Sequence, residues 1–433
     1  MTGRPASGQT GALMSCAGAA ARACVLACAL AWPAWAAASG DHGGGLRIRL
    51  AAHLHTTVSG GTQSPDAVAA LAKSAGLDAV LITDSALRRW EYGLWPLRGL
   101  LKRVVEEPSV LRLGAAKYLA KIDAADRAHP DLLILPGMEA APSYYWRRSP
   151  LERDGALVLG WHRHLLVFGI DDARSLRRLP LRETDPYHED RDAAPFQRLI
   201  DAVSGAGGLV FWAHPAAANR GRAGGVRYAT EPYPHLLELT DGYHGFGVAD
   251  LAALSLTSPG GAWDRVLTEY CRGGRRSPAW ILGELDWHGP HERAIDAVVT
   301  DVLSGERSRR GLLEGIRLGR MWVTLNRTGG TALRLEAFSL SDAGSSAVAV
   351  TGGTLTGATG IRVRIAGVAS DGDTALTVIR DGEPWSTLRP EPGSFVQEWI
   401  DPSPPASGYY RVAADGPGGV VLTNPIFVGK APE

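Results

Sequence analysis

The apolar positions between residues 46 and 83 predict a strand, a helix and a second strand. Residues 46–52 and 79–83 are the predicted strands, and the second of them is almost wholly apolar. Between them, one apolar face of a helix is formed by Val68, Leu71, Ala72 and Ala75. Ser64 is a predicted N-cap, Pro65 suits the first helical position, and Gly76 indicates where the helix ends. The segment is therefore a predicted βαβ unit.

Apolar runs at residues 132–135 and 209–212 repeat this pattern further along the chain. Alternating strands and helices favour an α/β fold, either layered or closed into a barrel. Two segments interrupt the alternation: residues 85–130, whose periodicity predicts mostly helix, and residues 142–163, which are rich in Tyr and Trp. We expect these insertions either to wall a site at the strand ends or to pack their aromatic side chains onto the barrel.

From about Gly330 the period changes to two, which is typical of β-strands with one buried face. The predicted strands lie at 332–338, 361–365, 376–379, 409–412 and 420–423. Asp381-Gly382 is a hairpin turn signal between two of them. Since the chain is too long for one compact core, we expect two domains, an α/β domain at 46–326 and a C-terminal β-sandwich at 330–433. Structural support is the favoured role of the sandwich, and an accessory role in stability or substrate binding is the alternative.

The N-terminal residues 1–36 have the features of a signal peptide. Arg22 precedes the apolar run 23–32, and Ala34-Trp-Ala36 is a cleavage signature. The run is shorter than the roughly 20 apolar residues that span a bilayer. We therefore expect a periplasmic or secreted protein without a transmembrane span in its mature form. A lipoprotein site ending at Cys28 is the less favoured alternative, because leucine precedes its alanine.

Composition narrows the possible chemistry. Lys and Arg together number 45, as do Asp and Glu, so the formal charge is zero. This balance argues against a generally nucleic-acid-binding surface and against a disordered acidic tail. The expected partner is a small-molecule substrate, with no nucleic acid. Removal of the signal peptide leaves Cys271 as the sole cysteine, which excludes an internal disulfide and a cysteine-based metal site. The oligomeric state is left open.

A His-x-His pair, His53 and His55, follows the first predicted strand. Alternate residues of a strand point the same way, so both imidazoles can reach one metal ion. Further acidic residues and histidines come at or near the ends of later strands: Asp84, Glu139, His214 and Asp286. In α/β barrels the C-terminal strand ends converge on one mouth. These residues predict a metal centre there, whereas His164 precedes its strand and fits this placement less well.

Taken in order, these motifs resemble those of the PHP family, the polymerase and histidinol phosphatase metallohydrolases. The motifs are His53-Leu-His-Thr-Thr-Val-Ser, Ile-Thr-Asp84-Ser, Pro-Gly-Met-Glu139, Ala-His214-Pro and Asp286-Trp-His288. The resemblance covers about residues 46–326 and implies a distorted seven-stranded α/β barrel. With the signal peptide and the C-terminal sandwich, the chain looks most like the exported branch that includes carbaryl-hydrolase-type enzymes.

The resemblance also implies a ligand set for two divalent metal ions. One ion would be held by His53, His55, Glu139 and Asp286. The other would share Glu139 and add His164 and His214. Imidazoles and carboxylates suit zinc, manganese or iron. A water between two ions about 3.5–4 Å apart becomes a hydroxide nucleophile near neutral pH. His162, two residues before His164, is an alternative ligand.

The chain departs from the family pattern where a third metal would bind. Gly60 and Ser85 stand where the family has ligands, and only His288 remains. We therefore predict two metal ions, with His288 free either to donate a proton to the leaving group or to form a plain hydrogen bond. We predict that Asp84 orients a ligand by accepting a histidine N–H rather than binding metal itself.

The sequence thus predicts an exported metal-dependent hydrolase acting on a phosphoester or on a carbamate or ester bond. Arg147 and Arg148 could hold an anionic substrate group, although solvated loop arginines are the favoured interpretation. Glu238 could face the site from another strand end, with a structural role favoured. The alternative function is a non-catalytic protein of the cell envelope that retains metal or binds glycans.

Overall fold

The computed structural model describes residues 45–148, 155–182, 186–187, 193–223, 225–327, 333–370 and 372–429. The predicted signal peptide lies outside the described residues. The helices are α1 (Pro65–Ser74), α2 (Val110–Leu113), α3 (Ala115–Ala128), α4 (Ala173–Arg178), α5 (Ala194–Gly205), α6 (His235–Leu239), α7 (Leu254–Thr257), α8 (Ala262–Cys271) and α9 (Arg309–Arg317), with a 3₁₀ turn at Leu251–Ala253. The fold is mixed α/β with extensive sheets.

The strands of the first part of the chain are β1 (Leu46–Leu54), β2 (Ala79–Ile82), β3 (Arg89–Gly93), β4 (Lys102–Glu106), β5 (Leu133–Ala140), β6 (Tyr145–Arg148), β7 (Leu157–Leu159), β8 (Leu165–Phe168), β9 (Leu209–Trp212), β10 (Asn219–Ala223), β11 (Val226–Thr230), β12 (Gly245–Val248), β13 (Trp280–Gly283), β14 (Val298–Ser304) and β15 (Met321–Asn326). The later strands are β16 (Arg334–Asp342), β17 (Val348–Val350), β18 (Thr354–Leu355), β19 (Ile361–Ala369), β20 (Ala375–Arg380), β21 (Glu383–Leu388), β22 (Gly393–Asp401), β23 (Ser407–Gly416), β24 (Gly419–Thr423) and β25 (Ile426–Gly429).

The largest sheet brings the predicted strand ends together at one edge. Its hydrogen-bonded order is β13-β12-β9-β8-β5-β2-β1-β14-β15-β24-β23-β20-β21. Strands β1, β2 and β5 are parallel, as are β9, β12 and β13, whereas β8 is antiparallel to both of its neighbours. The C-terminal ends of these parallel strands therefore lie at the same edge as the beginning of β8.

The predicted βαβ unit is confirmed. The Ser64 hydroxyl accepts a hydrogen bond from the Ala67 N–H, and Pro65 opens α1. The helix ends at Ser74, and Gly76 then takes a φ of +69°, in the left-handed region that glycine adopts without strain. Burial of Val68 and Ala72 fixes the helix against the sheet.

The prediction of mostly helix for residues 85–130 is wrong in its first half. Strands β3 and β4 form an antiparallel hairpin, and helix begins only at Val110. Trp90 is buried with Tyr144, Trp146 and Trp161 in an apolar cluster apart from the main core. The leucines at residues 94–101 produced the helical period, although they belong to the turn between the strands.

The period-two segments of the C-terminal part are strands, as predicted. Asp381 and Gly382 have φ values of +50° and +84°, which suit a tight hairpin turn. A separate sheet has the order β17-β16-β19-β22, and an apolar core joins its residues, such as Val363, to Val378 and Val412. Since β24 pairs with β15, the C-terminal strands continue the large sheet. The boundary at 326–330 stays a prediction.

Among the described residues, no helix combines the length and apolar character needed to cross a membrane.

Candidate metal centre

The His-x-His pair lies at a break in the pairing of β1. Ala52 pairs with Leu81 and Leu54 with Ile82, so His53 is the extra residue of a bulge with a φ of +65°. His55 follows directly after the strand, and the Nε2 atoms of the two imidazoles lie 3.2 Å apart. Both side chains are buried. The bulge, rather than regular strand alternation, turns the two rings toward one point.

Glu139, near the end of β5, lies at the centre of the histidines. Its Oε1 atom is 2.5 Å from His164 Nδ1, 3.2 Å from His53 Nε2 and 3.4 Å from His214 Nε2. Its Oε2 atom is 3.6 Å from His55 Nε2. His164 reaches this carboxylate because β8 runs antiparallel and begins at the site edge. One buried carboxylate thus contacts four imidazoles.

Asp286 and His288 complete the cluster from the segment after β13. Asp286 Oδ1 is 3.5 Å from His53 Nε2 and 3.4 Å from His55 Nε2, and the His288 ring stacks on His55 at 4.3 Å. Two groups have ligand atoms that all lie within 4.8 Å of one another. They are His53, Glu139, His214 and Asp286, and His55, Asp286 and His288. This division differs from the one that the family resemblance implies.

The hydrogen bonds on the far side of each ring leave the Nε2 atoms free for a metal. His53 Nδ1 lies 3.0 Å from Glu284 Oε2, a carboxylate oxygen that can only accept. His55 Nδ1 lies 3.2 Å from the Ser59 hydroxyl, which itself donates to Asp84. Each ring therefore donates from Nδ1, and two Nε2 lone pairs face each other beside two carboxylates. A proton or a metal ion between the two Nε2 atoms would satisfy this arrangement, and the donors suit a divalent metal ion.

His214 has the same arrangement. Its Nδ1 atom lies 3.3 Å from the Tyr233 hydroxyl, which donates its own proton to the Ala213 carbonyl. The ring therefore donates from Nδ1, and its Nε2 atom faces Glu139. The main-chain N–H of His214 donates to Glu284. Imidazoles held in this way by outer partners are typical of metal ligands.

The charges of the cluster shift its pKa values in opposite directions. Burial lowers the pKa of His53, but the negative charges of Asp286 and Glu139 outweigh it and hold the pKa well above its usual value. Burial raises the pKa of Glu139, yet His164 and His53 hold it well below the usual range. Loss of solvation raises the pKa of Asp286, and His53 likewise holds it well below its usual range. Without a metal, protonated imidazoles would therefore balance the negative charges of Glu139 and Asp286.

Asp84 supports the loop after β1. Its Oδ1 atom accepts from the Thr56 N–H at 2.8 Å and the Ser59 hydroxyl at 2.7 Å, and its Oδ2 atom accepts from the Thr56 hydroxyl at 2.7 Å. Sequence reasoning predicted a direct bond from Asp84 to a histidine N–H. The structure instead interposes Ser59, whose hydroxyl accepts from His55.

Glu284 was missed from the sequence as a functional residue. It is fully buried, and its two oxygens accept separately from His53 and from the main chain of His214. Gly247 makes room for it, because a Cβ at that position would lie 2.1 Å from the Glu284 Cδ. The sequence feature that could have revealed its role is its position in Gly-Glu-Leu-Asp286, two residues before a predicted metal ligand.

The remaining candidates lie at varying distances from the metal centre. Ser85 Oγ is 3.4 Å from Glu139 Oε2. Glu238 lies on helix α6, not at a strand end, and makes an exposed ion pair with Arg265, which fits the structural role that was favoured for it. The Arg147 side chain is exposed on β6, and the Arg148 side chain lies outside the described residues. His162 hydrogen-bonds Asn219, at 3.3 Å.

The His162 ring also lies beside the His164 ring, tilted by 57°, with ring centroids 5.1 Å apart. Burial and the charge of His164 lower the pKa of His162 to about 3. Glu139 is in direct contact with His164, so His164 is the better placed of the two alternative ligands.

No family model matches the chain, and no curated protein matches it. Among solved structures, it resembles a two-domain protein from Bacteroides vulgatus that contains a predicted PHP-like metal-dependent phosphoesterase. The two sequences are 14% identical, the match covers 88% of this chain and 96% of that one, and the TM-score is 0.40. It also resembles a protein from Bifidobacterium adolescentis described as a metal-dependent phosphoesterase, with 17% identity, coverages of 57% and 89%, and a TM-score of 0.31. A lesion-specific endonuclease from Pyrococcus furiosus matches at 11% identity, coverages of 64% and 56%, and a TM-score of 0.35. Likenesses this weak carry no argument about chemistry.

Proposed function

We propose that this protein is a metal-dependent hydrolase of the PHP type that uses two divalent ions. The observation that carries the proposal is the convergence of His53 and His55 Nε2 on the Glu139 carboxylate, with each Nδ1 held from outside. The expected ions are zinc, manganese or iron. When bound, they would supply Lewis acidity and lower the pKa of a water molecule.

The residues around the centre have distinct proposed roles. Glu139 and Asp286, which each contact His53 and His55, would help to hold the ions. Glu284 and Ser59 would fix the orientation of the imidazoles. His288 donates from Nδ1 to the Asp286 carbonyl at 3.1 Å, so in its neutral form Nε2 carries the lone pair. Burial and the charge of His55 lower the pKa of His288. Of the two roles that the sequence left open for His288, proton donor and plain hydrogen bond, this geometry favours the second, with Nε2 as an acceptor or a metal ligand.

Among the candidate bonds, a phosphoester is favoured over a carbamate or carboxylic ester. A cation held close to the metal centre supports this choice. Arg88 and His288 both lie beside Gly60: a Cβ added to Gly60 would be 2.6 Å from Arg88 Nη1 and 3.8 Å from His288 Cδ2. Arg88 is held there by the Ser59 carbonyl at 2.8 Å and the Glu107 carboxylate at 2.5 Å. A guanidinium beside a metal centre suits an anionic substrate group.

The proposal includes three features that sequence alone supports. They are export to the periplasm or outside the cell, a β-sandwich over residues 330–433, and the seven-stranded barrel over residues 46–326 that the family resemblance implies. A carbamate or ester substrate, as in the exported branch named above, is the alternative within the same chemistry.

The test combines metal analysis with a hydrolysis screen on the wild type, Glu139→Gln and Glu238→Gln. We expect about two equivalents of transition metal per wild-type chain, since the ligand atoms form two groups. Aryl phosphomonoesters, phosphodiesters, carbamates and esters form the screen. Glu139→Gln should lose both metal and activity, and the exposed control Glu238→Gln should keep both. Hydrolysis that is unchanged in Glu139→Gln would refute the mechanism, and metal binding without any hydrolysis would favour the non-catalytic alternative.

A further inference from the structure

An exposed apolar loop joins β3 to β4. We call this loop together with the first three residues of β4, residues 94–104, the hairpin tip. Trp95 is 79% exposed and Leu100 81%, while Leu101 and Leu97 are 53% and 49% exposed. Monomeric proteins rarely place several large apolar side chains together in water without a partner for them. The tip therefore needs an apolar environment that the described part of this chain does not provide.

The charges of the hairpin tip are all positive. Arg98, Lys102 and Arg103 are interleaved with the apolar residues, and no Asp or Glu occurs between residues 94 and 105. The Arg98 guanidinium lies over the Tyr187 ring at 3.8 Å, and the Lys102 ammonium lies 3.5 Å from the Glu91 carboxylate. Both cations therefore sit where the tip meets the stem, at the level that lipid headgroups would occupy. An apolar tip flanked by cations is complementary to a bilayer with anionic headgroups.

The stem beneath the tip is rigid enough to act as an anchor. Trp90 is buried on β3, and the Trp146 indole N–H donates to the Glu91 carbonyl at 2.8 Å. The Gly93 N–H donates to the Tyr187 hydroxyl at 2.6 Å. These contacts hold the hairpin to the body, so that its tip can enter an interface without unfolding.

We propose that the hairpin tip binds anionic lipid bilayers, inserting Trp95, Leu97, Leu100 and Leu101 at the boundary between headgroups and acyl chains. Tryptophan and leucine are the side chains favoured at that depth, and the cations would contact lipid phosphates. The hairpin starts one residue after Arg88, which contacts the loop carrying Ser59. Docking would therefore hold the metal centre near a membrane surface, whatever bond it cleaves.

The first experiment measures co-sedimentation of the full chain with vesicles of phosphatidylcholine, alone or with about 30% phosphatidylglycerol. The variants are Leu100→Ser/Leu101→Ser and Lys102→Gln/Arg103→Gln. The matched control is Val396→Ser/Ile400→Ser, which removes two exposed apolar side chains from β22 instead. Any binding by the apolar N-terminal segment is common to all variants, so the differences between them report on the tip.

We expect binding to anionic vesicles that weakens with salt and falls about tenfold or more in the leucine variant. The charge variant should lose the preference for anionic lipid, and the control should bind like the wild type. Quenching of tryptophan fluorescence by brominated lipid should decrease in Trp95→Phe. Equal thermal unfolding midpoints would show that every variant is folded.

Two results would overturn the proposal. One is binding that is the same in the wild type and the leucine variant, or absent from both. The other is a concentration-dependent dimer, seen by light scattering, that the leucine variant abolishes while vesicle binding stays unchanged. That outcome would assign the tip to a second copy of the chain.

Discussion

Glu284→Gln should weaken metal binding although the residue touches none of the predicted metal positions. Its two oxygens each accept from a different donor, the His53 Nδ1–H at 3.0 Å and the main-chain N–H of His214. Glutamine has nearly the same shape but offers one accepting oxygen and one NH2 group. One buried N–H donor would therefore face another donor, and the negative charge beside His53 would be lost.

The size of the effect follows from these two contacts. Hydrogen bonds to charged groups contribute about 1.5–3 kcal/mol when a buried partner is removed. Because about 1.4 kcal/mol corresponds to a tenfold change in an equilibrium constant, metal affinity should fall about 10- to 100-fold. The same range is found for outer partners of metal-binding histidines in general. Both His53 and His214 are affected, so the larger value is expected.

The assay is a competition titration of the metal-free protein with a chromophoric chelator and zinc or manganese. Glu238→Gln is the matched control, since it makes the same chemical change at an exposed carboxylate on α6 and should bind like the wild type. Thermal unfolding of the metal-free variants separates loss of fold from loss of affinity. A folded Glu284→Gln variant with wild-type affinity would refute the argument that Glu284 orients the ligands.

Three further outcomes follow from the structure. Gly247→Ala should reduce metal affinity in the same titration, because its Cβ would lie 2.1 Å from Glu284 Cδ, whereas Gly305→Ala, in open space, should not. Asp264→Ala should lower the free energy of unfolding in urea by about 3–5 kcal/mol, because it leaves the fully buried Arg411 without its ion pair; equal urea midpoints would contradict this. Metal affinity should rise with pH, because the raised pKa of His53 requires a proton to leave before metal binds. Calorimetry in buffers of different ionisation enthalpy measures that proton release, and its absence would contradict the assignment.

Elements with a strong local signal were predictable from sequence. The cap at Ser64 and the apolar face of α1 determine that helix without help from distant residues. The period-two strands after residue 333 are likewise local, as is the turn at Asp381-Gly382. The β3–β4 hairpin was not predictable, because its pairing depends on burial of Trp90 in a cluster with distant aromatic residues.

The candidate site shows the same division between local and distant causes. The ligand types and their places at strand ends follow from sequence, yet the role of Glu284 depends on contacts with residues 70 and 231 positions away along the chain. The bulge at His53 is also set by pairing with β2, which no local pattern reveals. His164 looked misplaced because a parallel strand was assumed, and the antiparallel direction of β8 places it at the site.

Backbone conformation gives an independent reason to place function at this edge of the sheet. Within the described residues, positive φ values outside glycine occur at His53, His214 and Asp286, and at Asp381 in a hairpin turn. Each such conformation costs about 1–3 kcal/mol and persists only when surrounding contacts enforce it. Here the Trp287 N–H donates to the His53 carbonyl, and the His214 N–H donates to Glu284. Three strained residues that all lie around Glu139 are better explained by one shared ligand than by three separate structural needs. Backbone strain of this kind clusters at sites where side chains are held in position for a ligand.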